Sequence, residues 1–124
     1  MEKEKTTKSI EKKEESKSKG NYTQFFTFIL GKEVYGIPVK RVREVIELND
    51  VFSIPRTPPY VRGVINLRGE VVPVIDLSQR FYGKDCEVTI LTSIVFVEVE
   101  HNENLLLVGI LVDEVCAVVD IYDE

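Results

Sequence analysis

Asp76, Asp113, Cys86, Cys116 and His101 are the side chains of this 124-residue chain whose type and position together bear most on catalysis. Asp76 and Asp113 each close an apolar run, and a pair of carboxylates can share general acid–base work. Such a pair normally sits on small-residue turns. Here the sequences are Asp76-Leu77-Ser78 and Asp113-Glu114-Val115, which predict a helix cap and a hairpin or bulge position. His101 has no second histidine to complete a metal set and no serine partner at a triad-like spacing. Cys86 and Cys116 read as free thiols, with no activating base nearby in sequence. Gly63, Gly69 and Gly83 are isolated, so no phosphate-cradling loop is present. The chain is therefore expected to be no enzyme, with no catalytic residue, no bound cofactor and no metal.

What remains is chemistry for holding a partner. The stretch Pro58–Leu77, PPYVRGVINLRGEVVPVIDL, reads as two apolar strands around a tight Arg68-Gly69 turn. Gly69 permits a positive φ there. An arginine on a rigid turn offers a two-pronged fork at small ordering cost. Two roles stay open for Arg68: contact with a partner, or locking its own hairpin by donating to backbone carbonyls. Glu44 could pair with a partner's cation or serve only in surface i,i+4 pairing.

The elements that must carry these side chains follow from periodicity. In Tyr22–Leu30, Phe26, Phe28 and Leu30 share one face at period two, which predicts a strand. Gly31-Lys32 turns it into a second strand, Glu33–Ile37. Val39, Val42, Val45 and Ile46 then recur at helical spacing behind Pro38, predicting a short helix over about 38–47. Asn49-Asp50 breaks that pattern, Val51–Ile54 reads as a short strand, and Tyr60–Arg62 as one helical turn. Strands follow over Val64–Leu67 and Glu70–Ile75, and Pro73 marks an edge or bulge. Asp76 is expected to cap a short helix over Leu77–Phe81. The second half holds strands from Ile94 to Glu100, Leu105 to Val112 and Val115 to Ile121, with His101–Asn104 as a hairpin loop. The expected fold is mainly β: two small antiparallel barrels with short helices.

Composition narrows the function class. Apolar residues make up 44%, enough for a core, and no apolar run reaches the length of a membrane span. Residues 1–20 are nearly all Lys, Glu, Ser and Thr, which predicts a disordered charged tail rather than a secretory signal. Residues 21–84 carry a net +3, while residues 85–124 hold ten acidic side chains and no Lys or Arg. A body that is acidic overall argues against nucleic-acid binding. The basic part could meet an acidic protein surface.

Three ordered motifs make the reading specific. FFTFILGKEVYGIPVKRVREVIE, PPYVRGVINLRGEVVPVIDLSQRF and VGILVDEV together resemble the CheW-like chemotaxis coupling family over about residues 22–124. The resemblance implies two SH3-like β-barrels on a shared core within residues 21–124, the first over about 33–85 and the second over about 86–124. It implies a cytoplasmic, non-catalytic adaptor at receptor arrays, without membrane insertion. Its partners would be chemoreceptor cytoplasmic tips and the regulatory domain of the histidine kinase CheA. Val39, Val42 and Glu44 match the family's receptor-contacting segment, Arg68 its hallmark arginine, and Gly63 and Gly69 its turn glycines. The family pattern continues beyond the VDEV strand, so the second barrel is expected to be incomplete or completed by another chain. A self-associating, strand-swapped variant that does not couple is the alternative expectation.

Overall fold

The structure is a computed structural model, and it describes residues 21–48 and 51–122. The expected tail over 1–20 and the break at Asn49-Asp50 lie outside those residues. In chain order the elements are β1 (Tyr22–Leu30), β2 (Glu33–Pro38), a 3-10 turn (Val39–Arg41), β3 (Val42–Glu47), β4 (Val61–Leu67), β5 (Glu70–Asp76), α1 (Leu77–Tyr82), β6 (Ser93–His101), β7 (Asn104–Val112) and β8 (Glu114–Tyr122). The fold is mainly β, as expected. The strands form a three-stranded sheet, β2-β1-β8, and a five-stranded sheet, β3-β6-β7-β5-β4. All pairs are antiparallel except β5 with β7. The β5–β7 and β3–β6 pairs both cross residue 85, so the sheets do not divide at the expected boundary between barrels.

The five-stranded sheet curls. Its two end strands are β3 and β4, and the chain beyond β3 comes back to pair Phe52 with Val64, each amide donating to the other's carbonyl at 2.8 Å. Its interior is filled by Ile65, Val72, Val74, Cys86, Ile94, Phe96 and Leu111. The other face of the same strands, with Val95, Val97 and Val112, packs on Phe26, Phe28 and Leu30 of β1. Ser93–Val97 of β6 and Gly109–Val112 of β7 are therefore covered on both faces, which explains why these halves lack polar alternation.

The helix expected over 38–47 is absent. Pro38 ends β2, Val39–Arg41 make only a 3-10 turn, and Val42–Glu47 pair with β6. A bulge explains the helical spacing. The register shifts between Val42 and Glu44, and the extra residue puts Val42 and Val45 on the same side, packed against the β1 core. A spacing of three thus arises within a strand. The expected strand at Val51–Ile54 is the single bridge at Phe52, and the helical turn at Tyr60–Arg62 gives way to β4 from Val61.

Candidate functional site

The Arg68-Gly69 tip is a two-residue hairpin. Both central residues are left-handed, Arg68 at φ +53° and Gly69 at +87°. This is the turn whose twist matches paired strands. Asn66 stabilises it by accepting the Gly69 amide on Oδ1 at 2.8 Å. Asn66 was not among the expected site residues; its position three residues before the turn glycine was the available signal. Val71, beside the tip on β5, is an exposed apolar side chain and was also missed.

Within the chain, Arg68 makes a contact other than the hairpin lock that is one of its two open roles. It does not bond its own hairpin's carbonyls. It reaches across the mouth of the curled sheet to β3, where its two Nη atoms meet the two carboxylate oxygens of Glu44 at 3.0 and 3.1 Å. The bulge makes this possible. After it, Glu44 lies opposite Phe96 on the interior side, at the rim. The pair is lopsided: the Arg68 side chain is 79% exposed and that of Glu44 only 20%. An ion pair this exposed contributes at most about 1 kcal/mol. Arg43 forms a second cross-strand pair with Glu98 at 2.8 Å, and Arg41 donates to the Glu98 carbonyl.

The other expected site residues separate by burial. Val42 is half-buried on β3. Val39 is 4% exposed and belongs to the core on β1, because the 3-10 turn folds it inward. Its side chain is therefore not on the surface. Gly69 is a turn glycine, but Gly63 is not. Gly63 lies inside β4 at a bulge, with φ +150°, and a Cβ there would stand 2.2 Å from the Phe52 carbonyl oxygen. Its lack of a side chain lets Phe52 approach and close the curled sheet.

Asp76, Asp113 and Cys86 do come together, but structurally. Asp76, almost fully buried, accepts the Gln79 amide as the cap of α1 and the Cys86 amide at 2.9 Å, and it pairs with Arg62 at 3.4 Å. Asp113 accepts the Cys86 thiol at 3.0 Å on one oxygen and the Gly31 amide at 2.8 Å on the other. Burial first, then the bond to Asp113, pushes the Cys86 thiol up to about 12. A thiol held protonated in this way is no nucleophile. Burial, with Glu114 beside it, also raises Cys116. Among the described residues no cluster of His, Cys, Asp and Glu could hold a metal ion, and no helix is long and apolar enough to cross a membrane.

Comparison with known proteins agrees with this architecture. A family model described as the CheW-like domain matches residues 24–124. The chemotaxis protein CheW of Treponema pallidum is 35% identical over 105 residues, covering 82% of this chain and 59% of the relative. That of Klebsiella aerogenes is 36% identical over 101 residues, covering 82% and 58%. The crystal structure of the scaffolding protein TtCheW from Thermoanaerobacter tengcongensis superposes with a TM-score of 0.73 at 34% identity, over 82% of this chain and 66% of that one. The chain thus spans somewhat under two thirds of the curated relatives it matches. With a family match over nearly all the described residues and a relative 35% identical across 82% of its length, the chain belongs to the CheW-like domain family.

Proposed function

We propose that the chain is a non-catalytic adaptor. It joins the cytoplasmic tips of chemoreceptors to the regulatory domain of a CheA-type histidine kinase, at arrays on the inner face of the membrane. The observation that carries this reading is the Arg68–Glu44 pair. A rigid left-handed turn presents a guanidinium fork that is mostly in water, held by one weak internal partner. Exchanging Glu44 for a partner's carboxylate costs little, because the internal pair is worth at most about 1 kcal/mol. Glu44, released, is free to take a partner's cation. Val42 and the half-buried face of β3 supply the apolar margin, and Gly63 and Gly69 set the backbone that aims the fork.

Reconstitution with a receptor tip and the kinase tests this. Arg68→Glu is expected to abolish kinase coupling while moving the thermal midpoint by only a few degrees. The double variant Arg68→Glu/Glu44→Arg restores the internal pair with reversed polarity. It should remain uncoupled if Arg68 touches a partner. Recovery of coupling in the double variant would make the pair a strut within the fold, and binding of the unmodified chain to neither protein would end the adaptor reading.

A further inference from the structure

The Arg68-Gly69 turn is built against local preference. In a two-residue hairpin with both central residues left-handed, the first position normally holds asparagine, aspartate or glycine. Other side chains crowd that backbone and give it no local support. Here the position holds an arginine at φ +53°. Such a conflict persists where the side chain serves something other than the turn and the surroundings hold the backbone for it.

The support comes from just outside the turn. The peptide that joins Arg68 to Gly69 lies beyond the last ladder pair, Leu67 with Glu70, so the ladder does not fix its plane. Asn66 does, by accepting the Gly69 amide on Oδ1 at 2.8 Å. Ile65 and Leu67, on either side of Asn66, pack into the interior of the curled sheet, while Asn66 is exposed on the outer face. Glu44 lies on the interior side, at the rim. Asn66 therefore acts on the backbone that carries Arg68, from the face opposite to Glu44.

The Arg68–Glu44 contact is sensitive to such aim. Two Nη atoms meet two carboxylate oxygens at 3.0 and 3.1 Å, and a planar fork makes both bonds from one orientation only. With 79% of its side chain exposed, Arg68 has little packing to guide it, so its direction is set at its own Cα. We infer that Asn66 is the positioning residue of Arg68. Its bond to the Gly69 amide holds the left-handed turn from which the guanidinium reaches across the rim, to Glu44 within the chain and to a partner's carboxylate in the coupled state. The effect on coupling rests on the adaptor role; the effect on Arg68 itself does not.

Asn66→Ala removes the acceptor at an exposed position. In the full chain, NMR relaxation of the Arg68 Nε–H group should report a more mobile side chain than in the unmodified protein. In reconstitution with a receptor tip and the kinase, the variant should bind about fivefold more weakly, the equivalent of one hydrogen bond. Its thermal midpoint should fall by only a few degrees. Asn66→Asp keeps an acceptor at the same reach and should restore both the rigidity and the binding. Asn66→Ala combined with Arg68→Ala should bind no more weakly than Arg68→Ala alone, since nothing remains to be aimed. Unchanged Arg68 motion in Asn66→Ala overturns the inference. So do losses that multiply in the double variant, which would make Asn66 an independent contact. Binding of the unmodified chain to neither protein would remove the adaptor role, and the motion of Arg68 would then decide the positioning by itself.

Discussion

The two sheets of this molecule solve the problem of strand ends in opposite ways. The five-stranded sheet bends until its two ends are linked, by the segment after β3 bridging to β4 at Phe52–Val64 and by side chains at Arg68–Glu44. The three-stranded sheet ends openly at β2 and β8 among the described residues. Closure consumes the hydrogen-bonding capacity of an edge and leaves side chains on the rim as the means of recognition. Among the described residues the fold thus sets a charged fork on the closed rim against a second sheet whose end strands no described strand covers.

The sharpest way to break this contrast is at Gly63. Gly63→Ala forces a Cβ against the Phe52 carbonyl at a φ that side chains rarely adopt. It should open the curled sheet and cost about 3 kcal/mol or more. Chemical denaturation measures the loss, and faster exchange of the Val64 amide locates it. The open sheet should be affected only through the global stability. Next is Asp76, which ties β5, α1 and the Cys86 segment together. Asp76→Ala removes an acceptor from three donors and should cost about 2–3 kcal/mol. Gly69→Ala, at a turn with open space around it, should cost only about 1 kcal/mol, read as a small shift of the denaturation midpoint. A loss comparable to that of Gly63→Ala would mean that the hairpin tip is as tightly determined as the closure.

The smallest effect near neutral pH comes from Cys86. Its thiol lies above its ordinary value of 9.0, at about 12, because burial and Asp113 favour the protonated form. The stability this confers is complete below pH 9 and is lost as pH rises toward 12. Midpoints measured across that window should fall, and Cys86→Ala should flatten the fall. At pH 8 a thiol reagent should modify the exposed Cys116 well before the buried Cys86.

Much of this was legible in the chain. The hairpin around Arg68-Gly69, the Asp76 cap, the β6–β7 hairpin and the two-faced apolar strands follow from short-range rules: period-two alternation, turn residues and capping. The misreadings share one cause. Val39, Val42, Val45 and Ile46 imitate a helix because a bulge in β3 shifts the alternation by one residue, and a bulge is set by the partner strand β6 rather than by local sequence. Gly63 reads as a turn glycine until Phe52 arrives from eleven positions earlier in the chain to occupy the space its missing side chain leaves.

By itself, the sequence determined most of the strands, the turn that carries Arg68 and the family. These depend on residue types and on neighbours close along the chain. Only the tertiary structure decided that Arg68 and Glu44 meet, that Val39 is buried and that β5 runs parallel to β7. Each of these depends on how distant strands are ordered, and that order follows from burying two apolar layers at once, which no local pattern encodes.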